Sequence, residues 1–229
     1  MHFDDLQLNR VILELRYDEG YLYWDKCGAV LLDILRKFPE WKWGLVSTEL
    51  TRLENHTRNM ELVFNYMNIR FIQNEVENLN KFKESAGEIT PLIVEKLEIK
   101  KFKRVGNRYL YVFPLESPDQ GKEIIQKSSL IEIPEEKLVL FGGKPTKTAF
   151  VVHIENENYH YRIELVGIER LEVPKNIKID EQFNPKYGLR VDVDIATLNE
   201  VNVSDFDCSD FLQSNKKFLE NNIVKFIEK

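Results

Sequence analysis

Apolar and polar residues alternate with period two from Val11 to Tyr17. Val11, Leu13, Leu15 and Tyr17 share one side and Glu14 and Arg16 the other, the pattern of a half-buried strand. Asp18-Glu19-Gly20 breaks it. Trp24, Cys27, Leu31, Ile34, Leu35 and Phe38 then recur at three- and four-residue spacing, predicting a helix that Pro39 ends. Two strands follow, Leu45 to Glu54 and Met60 to Gln73, around the turn Asn55-His56-Thr57-Arg58-Asn59, with Asn65 or Asn68 as a break in the second. A helical stripe of Leu79, Phe82, Ala86, Ile89 and Ile93 carries Gly87 and Thr90-Pro91, which predict a kink or two short helices. A strand from Phe102 to Leu115 closes the half. The order over residues 8–116 is β-α-β-β-α-β, a split β-α-β arrangement. It predicts an interior first strand with the second and fourth runs of strand at the edges.

The second half opens with a short helix, Gly121 to Lys127, and becomes an antiparallel meander. Its strands are Leu138–Phe141, Ala149–Glu155, Tyr159–Val166 and Leu189–Ile195, with turns at Gly142-Gly143 and Asn156-Glu157-Asn158 and a long loop from Glu172 to Tyr187. The chain ends in an amphipathic helix whose stripe is Phe211, Leu212, Phe218, Leu219, Ile223, Phe226 and Ile227, capped by Asp207 or Ser209. The class is therefore α+β, with halves 1–116 and 117–229 packed as one unit, and no repeat of 20–50 residues is visible.

Composition narrows the class without naming an activity. The 229 residues are 43% hydrophobic and 31% charged, with a formal net charge of −6, which excludes collagen, disorder and a disulfide scaffold. Two cysteines are too few for a stapled secreted fold or a Cys-based zinc motif. No apolar run reaches the roughly 20 residues that cross a bilayer. The start, Met1-His2-Phe3-Asp4-Asp5, lacks the basic opening of a signal peptide, so a cytoplasmic protein away from membranes is expected.

The strand Val11-Ile12-Leu13-Glu14-Leu15-Arg16-Tyr17 resembles the opening of a sporadically distributed bacterial family of uncharacterised proteins, in which an apolar-Glu-apolar-Arg strand precedes a helix. Gly106-Asn107-Arg108-Tyr109 is similar to that family's Gly-x-Arg-Tyr strand, although Leu110-Tyr111 stands where Ile-Asn is usual. Val191-Asp192-Val193-Asp194 before a terminal helix matches its ending, without the histidine that the helix often carries. The resemblance implies a similar fold and no activity.

Four sets of side chains are candidates for chemistry. Glu14, Arg16, Arg104 and Arg108 lie on the first and fourth strands, and an arginine pair there suits bidentate binding of phosphate or carboxylate. The alternative is a set of Arg–Glu pairs that neutralise a partly covered face. Asp192 and Asp194 project from one side of a strand and offer hard oxygen ligands to Mg²⁺ or Mn²⁺. They equally suit a solvated strand face. His153 and His160 face each other if their hairpin turns at Asn156-Glu157, and could bind zinc or copper with further ligands. Lys96, Lys100, Lys101, Lys103, Arg104 and Arg108 form a basic run among Phe102, Tyr109 and Tyr111, the alternation that single-stranded nucleic acid uses, but an acidic chain disfavours that partner.

No Gly-x-Ser-x-Gly, Walker or Gly-x-Gly-x-x-Gly motif is present. The expectation is a non-enzymatic binding or protein-interaction module with an unidentified protein partner and no cofactor. The alternatives are a metal-dependent phosphoesterase or nuclease-like hydrolase using Asp192 and Asp194, and a small-ligand carrier with a pocket under the C-terminal helix.

Overall fold

Turn chemistry decides how many strands the apolar runs become. In the computed structural model, which describes residues 2–131, 136–137, 140, 148–171 and 179–228, the first predicted hairpin is cut finer than its hydrophobic pattern suggests. Ser47 Oγ accepts hydrogen bonds from Glu49 and Leu50 amides, folding the run Leu45–Glu54 into β2 (Lys42–Val46) and β3 (Thr51–Asn55). Asn65 Oδ1 likewise accepts from the Met67 and Asn68 amides at 2.8 Å each. That turn divides Met60–Gln73 into β4 (Met60–Phe64) and β5 (Asn68–Asn74).

The first strand, β1 (Gln7–Arg16), is followed by α1 (Leu22–Lys37), which ends just before Pro39 as the sequence predicts. The α2 helix (Leu79–Lys96) is one element with Pro91 inside it, which excludes two short helices, one of the two outcomes that the sequence predicts there. Proline at position 91 removes one helical hydrogen bond. Burial of Phe82, Ala86, Ile89 and Ile93 along one side of α2 outweighs that loss. The pair β6 (Lys101–Phe102) and β7 (Arg104–Leu115) come next, then α3 (Pro118–Lys127), β8 (Ala149–Glu155), β9 (Tyr159–Glu169), β10 (Tyr187–Thr197), β11 (Val201–Asn202) and the terminal α4 (Cys208–Ile227). Asp207 caps α4, its side chain accepting from the Asp210 amide at 2.8 Å. The predicted strand Leu138–Phe141, the Gly142-Gly143 turn and much of the loop after Glu172 lie outside the described residues.

Nine strands form one antiparallel sheet in the order β2-β3-β4-β5-β1-β7-β10-β9-β8, and β6 pairs with β11 separately. β1 is interior, between β5 and β7, as the split β-α-β order requires. β7 is not an edge, however: β10 pairs along its other side, so the second half extends the same sheet. The topology also repeats on a scale of about half the chain. β1, α1, the meander β2–β5 and α2 are answered by β7, α3, the meander β8–β10 and α4, and the leading strands β1 and β7 pair at the centre.

One core joins both halves. Val11, Leu13 and Leu15 of β1, Tyr109 and Tyr111 of β7, and Val191 and Val193 of β10 meet Ile34 of α1, Phe82 and Ile89 of α2, Ile125 of α3 and Leu219 of α4. Gly121 of α3 packs against Gly167 of β9 so closely that a Cβ at 121 would lie 3.1 Å from the Gly167 Cα. The Tyr109 hydroxyl donates to the Leu212 carbonyl at 2.8 Å and fixes α4 to the central strand. Phe218 departs from its predicted place in the α4 stripe. It is 43% exposed at the border, stacked on Tyr161. Among the described residues, no helix is long and apolar enough to cross a membrane.

Candidate anion-binding face

Because side chains alternate along each strand, placing Leu13, Leu15, Val105, Tyr109, Val191 and Val193 in the helix-covered core sends the intervening residues to the opposite face. That face carries Arg10, Ile12, Glu14 and Arg16 of β1, Arg70 and Ile72 of β5, Arg104, Gly106 and Arg108 of β7, and Asp192 and Asp194 of β10. The centre of it is a concavity of about 680 Å³ bordered by five arginines (Arg10, Arg16, Arg70, Arg104 and Arg108) and two carboxylates, Glu14 and Asp194. With the buried Asp192 that Arg108 binds included, the local charge is +2, against −6 for the whole chain.

Glu14 is the hub. Its Oε2 accepts from Arg70 Nε at 3.0 Å and Nη2 at 2.6 Å, and its Oε1 from Arg16 Nε and, at 3.5 Å, from Arg104 Nη1. Burial alone would raise the Glu14 carboxyl, but the bonds from Arg70 and Arg16 hold it below its ordinary value. Arg16 and Arg104 are directly opposite each other across β1 and β7, an arrangement that like charges disfavour. Glu14 compensates both only in part, and the Arg16 side chain is 55% exposed. Gly106 makes the geometry possible, since a Cβ there would sit 2.9 Å from Arg104 Nη1. All four sequence-selected residues of this set are therefore brought together on adjacent strands.

Asp192 and Asp194 do share one side of β10, but guanidinium groups hold them. Arg108 donates from Nε to Asp192 Oδ1 at 2.7 Å and from Nη2 to Oδ2, and Arg104 Nη2 donates to Asp194 Oδ2 at 3.2 Å. The bond to Asp192 raises the already high Arg108 pKa, with burial opposing. A divalent cation at these oxygens would have to displace a cation already bonded to them, which counts against the metal reading of the pair. Farther along the face, Glu164 bridges Arg162 and Arg190, the latter at 2.5 Å. Burial raises the Glu164 carboxyl, and the bonds from Arg162 and Arg190 more than offset it, leaving it below its ordinary value.

The two histidines meet, though not in the expected register. Asn156 Oδ1 accepts from the amides of Asn158 and Tyr159, which moves the turn one residue on and pairs His153 with Arg162 and Glu155 with His160. A two-residue change in the register sum leaves every side chain on its original face. His153 and His160 become diagonal neighbours, His153 Nδ1 lying 3.1 Å from His160 Nε2. Among the described residues, no cluster of three or more His, Cys, Asp or Glu side chains is placed to hold a metal ion.

The basic run does not present the surface read from its alternation. Phe102, Tyr109 and Tyr111 are core residues and offer no ring for a base to stack on. Lys96, Lys101 and Lys103 pair with Asp33, Glu200 and Asp18. Near α4, Ile154, Tyr161, Phe218 and Phe226 line an apolar groove of about 240 Å³. Burial pushes the Cys208 thiol up to about 12, against a hydrogen bond with Thr90, so the thiol is protonated at neutral pH.

Arg10 and Arg70 were missed by inspection of the sequence. The signal for Arg70 was present, because Ile69 and Phe71 flank it in a period-two run and the predicted pairing of that strand with Val11–Tyr17 sets it near Glu14. Arg10 lies ahead of the apolar alternation and had no such mark.

No family model and no curated protein matches the chain. Among solved structures the chain is similar to a Methanococcus jannaschii TBP, with 10% identity and a TM-score of 0.29 over 96% of each chain. A score at that level lends no weight to a shared fold or activity.

Proposed function

We propose that this protein is a non-catalytic binding module that takes a partner bearing several oxyanions on the open face of its sheet. The observation that carries this reading is the imbalance of charge at the central concavity, five arginines against three carboxylates (Glu14, Asp194 and the buried Asp192 that Arg108 binds) in an acidic protein. Guanidinium groups match phosphate and carboxylate oxygens in bidentate geometry. Arg10 and Arg16 are six residues apart on one strand, so the positive charge runs for about 20 Å and suits several anionic groups rather than one. Glu14, Asp192 and Asp194 fix the arginines in place before a ligand arrives, which lowers the entropy lost on binding. Two free cysteines fit a reducing, cytoplasmic setting.

The hydrolase reading is weaker, since both aspartates it needs are bonded to arginines. The apolar groove beside α4 is smaller than the roughly 300 Å³ from which drug-sized ligand pockets begin. A second concavity at the start of α4, lined by Pro91, Val94, Phe102, Phe206 and Cys208, reaches about 340 Å³ and keeps the ligand-carrier reading as the alternative.

Titration of tripolyphosphate and, separately, citrate into isotope-labelled protein, followed by backbone amide NMR, tests the proposal. Saturable shifts confined to β1, β5, β7 and β10 are expected. Absence of saturation with both anions, or shifts centred elsewhere, would refute it.

A further inference from the structure

The hairpin β8–β9 carries a second chemistry, on strands that do not line the arginine concavity. His153, Glu155 and His160 all project from the open sheet face, and the two imidazoles and the carboxylate form a chain. Glu155 Oε1 is 3.0 Å from His160 Nδ1, and His160 Nε2 is 3.1 Å from His153 Nδ1. A carboxylate accepts, so the contact with Glu155 favours the His160 tautomer that carries its proton on Nδ1 and keeps the Nε2 lone pair toward His153. Orientation of an imidazole by a carboxylate on its far nitrogen is the arrangement that supports a histidine bound to zinc.

We propose that His153 Nδ1 and His160 Nε2 are the two protein ligands of a surface site for Zn²⁺, with Glu155 as the positioning residue for His160. Zinc–nitrogen bonds are about 2.0–2.1 Å, so two imidazole nitrogens on one ion lie about 2.9–3.4 Å apart for angles between a right angle and a tetrahedron. The separation in the hairpin falls inside that range. His153 takes the tautomer with its proton on Nε2, and each ring turns by roughly 40° so that lone pairs first aimed along the line between the nitrogens meet an ion lying off that line. Water fills the remaining coordination positions, which makes this an open site. The neighbouring Arg162, directly across from His153, shares Glu164 with Arg190, so its charge is compensated in part.

Isothermal calorimetry of Zn²⁺ into the full chain at neutral pH, in a buffer that does not chelate metals, decides the matter. One saturable site is expected in the wild type, lost in both His153→Ala and His160→Ala and unchanged in His56→Ala. Glu155→Gln should weaken affinity about 10–100-fold. No saturable binding to the wild type, or binding that survives both histidine substitutions, would overturn the site. Undiminished affinity in Glu155→Gln would overturn the carboxylate's part in it.

Discussion

Arg108 and Asp192, diagonal neighbours on β7 and β10, form a two-pronged ion pair in which the carboxylate is fully buried and the guanidinium is partly open to solvent. The asymmetry sets the outcome of breaking it. Arg108→Ala leaves a buried, uncompensated charge, and truncating one partner of such a pair costs about 2–5 kcal/mol. Partial exposure of Arg108 places the expected loss at the lower end, about 2–3 kcal/mol. Urea denaturation of Arg108→Ala and of the double variant Arg108→Leu with Asp192→Leu separates the pair from its burial. The double variant should recover part of the loss.

Gly106 controls the position of Arg104, because every close neighbour of a Cβ at this position belongs to that side chain. Gly106→Ala should therefore move Arg104 away from Glu14 and Asp194 while leaving stability within about 1 kcal/mol of wild type, since alanine also reduces the backbone entropy lost by glycine in a strand. Calorimetric titration with tripolyphosphate should show affinity reduced several-fold. A large loss of stability with unchanged anion binding would reverse the assignment.

Two adjacent residues of α4 should behave differently. Leu219 is fully buried against the sheet, whereas Phe218 rests on Tyr161 at the surface. Leu219→Ala is expected to cost about 2–5 kcal/mol. Phe218→Ala should cost about 0.5–1.5 kcal/mol, on the scale of one aromatic pair. Thermal unfolding of the two variants checks the order.

Acid should weaken the fold through Glu14 and Glu164, whose carboxyls the neighbouring arginines hold below their ordinary value in the folded protein. A depressed folded-state pKa means that the folded protein binds fewer protons than the unfolded chain near that pH. The contribution is complete above the ordinary value and is lost as pH falls from there through the folded-state values. Glu14→Gln should be less stable than wild type at neutral pH, and the gap should close as pH falls through this window. Denaturant midpoints across the acid range measure it, and a gap independent of pH would contradict the role given to Glu14.

The fold was legible where apolar alternation and turn chemistry agree. Val11 to Tyr17 read correctly because its two sides differ so sharply, and the interior placement of β1 followed from the element order. The run Leu45–Glu54 misled because its hydrophobic residues continue through a turn that depends on one serine hydroxyl. Pro91 acts in the other direction: tertiary burial held α2 together where local propensity allowed two short helices. The internal repetition is invisible to short-period inspection, since it spans about half the chain and lies in the order of the elements. Of the central site, Glu14, Arg16, Arg104 and Arg108 were readable as strand-face charges, but their convergence needs the pairing of β1 with β7.

The most direct test of the anion-binding face is calorimetry with tripolyphosphate on the wild type and on the double variant Arg16→Gln with Arg104→Gln, each at low and high salt. The pair stands directly across β1 and β7 over the concavity, and circular dichroism would establish that the variant is folded. The expected result is saturable binding to the wild type that weakens with added salt and falls at least tenfold in the folded variant. Equal affinity of the two proteins would contradict the account.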